Sequence, residues 1–566
     1  MTRVGIVRRG LLAASLLIAG CATAETAVAE GADRDRSGEP SPEAVNFVDV
    51  AGEVGLDFRH SAFRDDPTGD TVAMMGGGLC WIDQDSDGWL DLFVVDTWSN
   101  GEWGDWRAKG ALPTSRLFRN DHGRFVDVTD ETGAGLAVRG NGCVAADLDL
   151  DGHTDLYVTT ERENVLLWND GRRFEASDPA EVVNAYGWHT GAAVGDVDRN
   201  GWPDLFVAGY TDLNRPVPGA AGGFPSNLGA EPDLLFLNQG PDADGELVFE
   251  EVAERIGIES TGLGHGLGAV FSDVDSDGDL DLYVANDTDP NQLYLTSPSS
   301  NSIGIELVEV GAELGVDDPE AGMGVATGDY DGDQRPDLVV TNQGSQLHAA
   351  FRNTSGPDGA AFVDALTSMG QPELGAGPTG WGVTWADVDL DTDLDLLFVN
   401  GGVPVLDLVA DRQGLQGYVN RTAEGEPGSF DDFSAGWGLD VVGPRVGRGS
   451  AAADFDNDGD LDLAVGTIGS DLALLRNTGA GGHWLIVAPP TPTPGTVITV
   501  RLADGTLLRR ELVAGSSYLS SEDPRAHFGL GTAEVVSVVT LTWPDGSQTV
   551  VEDVDADQIL EVAPGD

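Results

Sequence analysis

Asp273-Val274-Asp275-Ser276-Asp277-Gly278-Asp279-Leu280-Asp281-Leu282-Tyr283-Val284 is the stretch that decides the fold. Four carboxylates at positions one, three, five and nine of a short loop run directly into an apolar strand. The same pattern begins at Asp83, Asp147, Asp196, Asp273, Asp329, Asp387 and Asp454. Working outward from each copy, a glycine-rich run of small residues precedes the loop, as in Gly140-Asn141-Gly142-Cys143-Val144-Ala145-Ala146. That run reads as a strand in a place where backbones approach closely. A third strand ends in Asn120, Asn169, Asn238, Asn353 or Asn477, and a fourth begins near Phe125, Phe174, Phe249, Leu307, Phe362 and Phe430. Each repeat is therefore expected to be a four-stranded antiparallel sheet, and seven such sheets set radially make an all-β, seven-bladed propeller.

The last repeat supplies only three strands before the composition changes. Asn46-Phe47-Val48-Asp49-Val50 has the form of the missing fourth strand, so it is expected to complete the last blade and close the ring. Insertions fall between second and third strands around Asn100–Pro113, Asn214–Pro232 and Gly401–Arg412, where variable function is usually carried.

The expected metal ligands are Asp83, Asp85, Asp87 and Asp91 in the first loop and Asp147, Asp149, Asp151 and Asp155 in the second. The third offers Asp196, Asp198, Asn200 and Asp204, and the fourth Asp273, Asp275, Asp277 and Asp281. Asp329, Asp331, Asp333 and Asp337 form the fifth, Asp387, Asp389, Asp391 and Asp395 the sixth, and Asp454, Asp456, Asp458 and Asp462 the seventh. Hard oxygen donors in a flexible cage suit Ca²⁺ better than Mg²⁺, and no Cys or His joins them, which argues against zinc. An EF-hand needs Glu at position twelve, whereas these loops place Val94, Val158, Val207, Val284, Val340, Phe398 and Val465 there. The expectation is about seven Ca²⁺ ions in a structural role. Asn200, and Gln334 and Thr392 at the usual Gly position, are expected to weaken their own loops.

The chain has 566 residues, 96 acidic against 30 basic, and a formal charge of −66, which excludes nucleic acid as a partner on electrostatic grounds. Arg3, Arg8 and Arg9 precede the short apolar run Leu11–Ala19, the form of a signal peptide over 1–21. Ile18-Ala19-Gly20-Cys21 resembles a bacterial lipobox, which implies lipidation at Cys21; cleavage near Ala22-Thr23-Ala24 without lipid is the alternative. Residues 22–44 read as a flexible tether. Cys80 and Cys143 form either a disulfide or two buried thiols, since their offsets from the first loop Asp differ by one residue, which in adjacent strands points them to opposite faces.

The repeat resembles the FG-GAP/VCBS repeats of integrin-like propellers across about Asn46 to Asn477, so the propeller domain is placed at 45–480. Residues 481–566 resemble the ASPIC/UnbV domain, through Gly515-Ser516-Ser517-Tyr518-Leu519-Ser520-Ser521-Glu522-Asp523-Pro524-Arg525-Ala526-His527-Phe528-Gly529-Leu530-Gly531 and then Trp543-Pro544-Asp545-Gly546. This order is similar to the cartilage acidic protein family, here in a bacterial lipoprotein form. The alternating runs read as a small β-sandwich-like domain. Arg525 and His527 are read as an anion site or as structural groups in a tight turn.

The start of each innermost strand should ring the central opening. That places Arg139, Trp188, His189, His265, Trp381 and Arg448 as a possible ligand funnel, the alternative being a channel plugged by large side chains. No nucleophile elbow, zinc-protease helix or phosphate loop is present. The functional expectation is a monomeric, non-enzymatic binding or adhesion module for a protein or glycan. It would be exported and held at the outer membrane of the cell envelope through its lipid. An enzyme with a site in the funnel and a purely structural envelope component are the alternatives.

Overall fold

A computed structural model describes residues 4–7 and 41–565, apart from 64–66, 68, 179–182, 221, 244, 259–263, 358 and 480. Cys21, most of the expected signal peptide, and residues 22–40 of the tether lie outside the described residues. Of the first 21 residues only Val4–Val7 is described, as a parallel edge strand beside Gln548–Asp555.

Among the described residues, seven four-stranded antiparallel sheets account for the repeats. The second blade is typical: Gly140–Ala146, Asp155–Thr160, Val165–Asn169 and Phe174–Ala176, with the Asp loop joining the first two strands. The innermost strands are Leu79–Ile82, Gly140–Ala146, His189–Gly195, Gly266–Ser272, Gly322–Gly328, Gly380–Ala386 and Gly447–Ala453. They pack against one another in that cyclic order, and the last returns to the first. Phe47–Asp49 pairs with Ala473–Asn477, Phe47 opposite Asn477, and so supplies the fourth strand of the seventh blade. In five blades the fourth strand is only three residues long, burying its Phe and turning the next two residues to solvent, as at Phe125–Asp127, so the outer edge stays short.

Cores lie between blades. Cys80, Ile82 and Phe93 of the first blade meet Cys143, Leu156 and Val158 of the second. Leu79 and Trp81, one residue out of phase, face Ala451 and Ala453 of the seventh. This corrects the reading of the cysteines. Two sheets packed face to face contribute side chains from opposite faces, so a one-residue offset brings Cys80 and Cys143 together, and they form a disulfide.

The third-strand asparagines clasp neighbouring blades. Asn169 Nδ2 donates to Gln84 O in the first blade's loop, 3.0 Å, and to Thr154 O in its own, 3.0 Å. Asn120, Asn238, Asn353, Asn420 and Asn477 reach Phe455 O, Leu148 O, Val274 O, Tyr330 O and Val388 O in the same way. In the fourth blade Thr296 stands in place of Asn, and its hydroxyl donates within the blade, to Leu280 O.

The C-terminal domain is a sandwich. One sheet holds Val497–Leu502, Leu507–Glu511, Val535–Thr542 and Gln548–Asp555. The other holds His483–Ala488, Ala526–Gly531 and Gln558–Glu561. Leu485, Val487, Ile498, Val500, Phe528 and Leu541 fill the space between. The domain sits on the face of the propeller that carries the Asp loops. Glu511 accepts from Ser272 Oγ and Asp273 N, Arg525 donates to Asp454 O and Asn457 Oδ1, and His527 Nε2 lies 2.9 Å from Gly459 O.

The clasp is testable. Asn169→Ala strands two carbonyls and should cost about 3 kcal/mol of unfolding free energy, against about 1 kcal/mol for Thr296→Ala, which breaks a bond within one blade. Urea denaturation in the presence of calcium measures both, and equal losses would refute the interblade role.

Candidate metal centres and a filled axis

The Asp loop is organised by its own backbone. In the first loop Asp83 Oδ1 accepts from Asp87 N at 3.0 Å and Oδ2 from Gly88 N at 2.9 Å, and the other six loops repeat this pair. At position nine, Asp91 Oδ1 accepts from Asn120 N at 2.7 Å and Oδ2 from Gln84 N at 3.2 Å, again with the same arrangement in every loop. The position-nine carboxylate thus ties the loop entry to the third strand. Its contribution to a cage varies. Ligand atoms of Asp147, Asp149 and Asp155 lie within 4.8 Å of one another, as do those of Asp196, Asp198 and Asp204, and of Asp273, Asp275 and Asp281. In the first and fifth loops the converging sets are Asp83, Asp85 and Asp87, and Asp329, Asp331 and Asp333.

The donor set fits a hard divalent cation. Asp85 Oδ1, Asp331 Oδ1 and both carboxylate oxygens of Asp389 are buried and make no hydrogen bond of ordinary geometry. Burial pushes Asp91 and Asp155 up to about 8, and burial with neighbouring carboxylates pushes Asp273 to about 7. Asp387, Asp389 and Asp395 are held well above the ordinary carboxylate range for the same reasons. A cation among them would remove the mutual repulsion that burial magnifies.

The variant loops keep this frame. Asn200 Oδ1 accepts from Trp202 N at 2.8 Å, as Asp87 Oδ1 does from Trp89 N. Gln334 and Thr392 adopt φ of 72° and 94°, and their amides still donate to Asp329 and Asp387. Position four is also left-handed, at Ser86, Leu150, Arg199, Ser276, Leu390 and Asn457, with Gly332 in the fifth loop. The sequence pattern gives no warning of that, because ordinary residues stand there.

The funnel residues do stand at the far ends of the innermost strands, but they do not ring an open central channel. Trp188 and Trp381 pack with Met75, Met323, Tyr518 and Leu519 in one buried cluster. The Arg448 guanidinium lies 3.9 Å over the Trp381 ring and donates to Met74 O, Gly447 O and Gly402 O. His189 Nδ1 meets Asn164 Nδ2 at 3.0 Å, and burial pushes its imidazole down to about 4. His265 Nδ1 is 2.5 Å from Asp289 Oδ2, and Arg139 bridges Asp70 and Glu161. Of the two readings, a ligand funnel or a plugged channel, the packing corresponds to the plugged channel: the axis is filled.

The filling comes from the C-terminal domain, which the sequence reading treated as separate. Residues 514–521 run into the axis: Val194 N donates to Ala514 O, Ser517 and Val325 exchange backbone bonds, Cys143 N donates to Leu519 O, and Ser521 N to Leu79 O. At the tip, Tyr518 Oη donates to Met75 O at 2.7 Å. One signal was present in the sequence. Gly78, Gly142, Gly191, Gly268, Gly324, Gly382 and Gly449 all stand five residues before the first loop Asp. A Cβ at Gly142 would lie 2.7 Å from the Leu519 Cβ, and one at Gly78 2.1 Å from Leu519 O; Gly324 and Gly449 likewise face Ser517 and Ser520, whereas a Cβ at Gly191, Gly268 or Gly382 would meet the neighbouring innermost strand, so glycine makes room both for the inserted segment and for the close approach of the strands. Of the two readings of Arg525, an anion contact or a structural group, the contacts match the second: it is committed to Asp523, Asn457 Oδ1 and Asp454 O.

Residues 83–158, 147–207, 273–340 and 329–398 match the FG-GAP-like repeat, and residues 488–566 match ASPIC and UnbV. The chain is 27% identical over 455 residues to cartilage acidic protein 1 of Mus musculus, covering 74% of this chain and 64% of that one. It is 28% identical over 436 residues to the Homo sapiens protein, covering 72% and 60%. It therefore spans less than two thirds of the length of these relatives. Among solved structures, an Agrocybe aegerita lectin that recognises non-reducing terminal N-acetylglucosamine aligns at TM-score 0.38 and 14% identity, over 70% of this chain and 86% of that one. A Bacillus licheniformis rhamnogalacturonan lyase aligns at 0.36 and 12%, over 77% and 76%.

Glu522, at the base of the inserted segment, gives a pH test. Its carboxyl accepts from Ser516 Oγ at 3.2 Å and from Thr384 Oγ1, and burial pushes it up to about 8 from an ordinary 4.5. A raised folded pKa means its stabilising contribution is whole below about pH 4.5 and is lost as pH rises towards 8. Glu522→Gln should therefore gain stability relative to the parent across that window and hold a constant gap above it. A gap that does not change between pH 5 and 8 would show that the carboxyl is not held neutral.

Proposed function

From a chain that carries FG-GAP-like repeats and an ASPIC/UnbV domain and is homologous to the cartilage acidic protein family, we propose that it is a calcium-loaded, exported β-propeller that serves in the cell envelope as a non-catalytic binding or adhesion module for a protein or glycan. The observation that carries the calcium reading is the set of buried carboxylate oxygens that make no hydrogen bond of ordinary geometry, at Asp85, Asp331 and Asp389, each beside other loop carboxylates. The ligands would be the carboxylates of positions one, three and five, joined by position nine where it converges. Calcium would supply positive charge that cross-links these groups and locks the turn between the first two strands.

The binding reading is supported by what the axis no longer offers. With Tyr518 and Leu519 inside it, the place where a propeller most readily builds a catalytic pocket is occupied. The insert loops on the face away from the Asp loops are then candidate surfaces. Envelope attachment rests on the lipobox-like Ile18-Ala19-Gly20-Cys21, and a net charge of −66 keeps phosphate polymers away.

Metal analysis and thermal unfolding of residues 44–566 test the reading directly. The expected result is about seven calcium ions per chain and a fall in Tm of more than about 10 °C on chelation, as mass action on several linked sites requires. Absence of bound calcium together with an unchanged Tm would end the proposal.

A further inference from the structure

The first blade's insert carries a short helix, Trp103–Ala108, on the face of the propeller opposite the Asp loops. Between this insert and the turn after Asp155–Thr160 of the second blade lies a cleft of about 540 Å³. That volume falls within the range of small-ligand sites. Trp98, Asn100 and Trp103 form one wall, Ala137, Val138 and Arg139 the floor, and Thr160 to Glu163 the other wall.

The floor is rigid. Arg139 is buried, its guanidinium bridges the Asp70 and Glu161 carboxylates, and its Nε donates to Trp98 O at 3.2 Å. Asp70 is itself fixed by Ala73 N and Asn100 N. The walls, in contrast, present groups to solvent. Trp103 is 44% exposed, a large apolar ring held at the lip of a cleft, with the Arg107 guanidinium 4.8 Å from its centroid. Both ion pairs of Glu161 run through Oε2, which leaves Oε1 as an acceptor, and Arg162 and Asn100 are exposed beside it.

We infer that this cleft is the ligand site of the binding module and that it takes a neutral pyranose residue of a glycan. The chemistry selects that class. A pyranose offers an apolar C–H face that stacks on an indole, and vicinal hydroxyls that both donate and accept. A carboxylate and a guanidinium on one wall, facing an amide on the other, match such paired hydroxyls. The lining charges Arg139, Arg162, Glu161 and Glu163 balance, so the site asks for no counter-charge, and the chain's −66 disfavours an acidic sugar on approach. Trp103 supplies the stacking face, and Glu161, Asn100 and Arg162 read the hydroxyls over the fixed Arg139.

This inference rests on the binding-module reading, and the test separates the two. Calcium-loaded residues 44–566, with metal content and melting already measured, are screened against immobilised neutral oligosaccharides built from glucose, galactose and N-acetylglucosamine, and against matched uronate-bearing ones. The best binder is then titrated by tryptophan fluorescence. Saturable binding to a neutral oligosaccharide is expected, weakened at least about tenfold by Trp103→Ala and by Glu161→Gln. Leu406→Ser, at an exposed position in the sixth blade's insert, should leave it unchanged. A folded, calcium-loaded protein that binds no neutral glycan, binds only uronates, or binds as well with Trp103→Ala as without it overturns the site while leaving the calcium module standing. Loss of the calcium itself is the separate failure of the earlier reading.

Discussion

The structure depends on a buried carboxylate placed between two backbone amides. The position-nine aspartate of each loop joins the entry of the Asp loop to the end of the third strand, and the Asn at that strand end reaches the carbonyl at position two of the preceding loop. Loop, blade and neighbour are therefore fixed by one connected set of bonds. The arrangement has an electrostatic cost, because the same burial that makes these bonds strong raises each carboxylate towards its neutral form. A cation at the loop would relieve that cost where it arises.

Radial packing explains what the centre contains. Seven innermost strands converge, and at the level five residues before the loops only glycine leaves room. Into that space the C-terminal domain sends Ala514 to Ser521, whose backbone pairs with strands of the first, second, third and fifth blades. The two domains share hydrogen bonds down the axis and across the loop face. The axis itself is therefore packed with side chains and backbone rather than left as an opening.

The parts of this architecture that recur were legible in the sequence. Seven loops, the strand ending in Asn and the stranded Phe47-Val48-Asp49 each leave a periodic mark, so blade composition and closure could be read before any coordinates. Relations between distant segments leave no such mark. Tyr518 and Leu519 look like part of a local turn because nothing near them in sequence points to Met75 or Gly142. The cysteines misled for a different reason: the face argument was framed for strands within one sheet, whereas Cys80 and Cys143 belong to facing sheets, where the parity rule reverses. The glycines five residues before each loop do carry the information, but in sequence alone a small residue there signals only a close approach of backbones, not which segment approaches.

The two loops that give up glycine at position six show how the domains support one another. A non-glycine residue in the left-handed region costs about 1–2 kcal/mol, and inside the loop Gln334 offsets it only with a long side-chain bond to Asp329 Oδ2, 3.4 Å. Gln334 pairs that cost with a bond outside the loop, its Nε2 donating to Leu507 O of the C-terminal domain at 2.9 Å. The sixth loop, which contains Thr392, receives Gly531 N at Leu390 O, 2.9 Å. Both exceptions lie under the docked domain. At Gln334, the side chain that strains its own turn is also one that fastens the neighbouring domain, so a departure from the repeat follows from where that repeat sits.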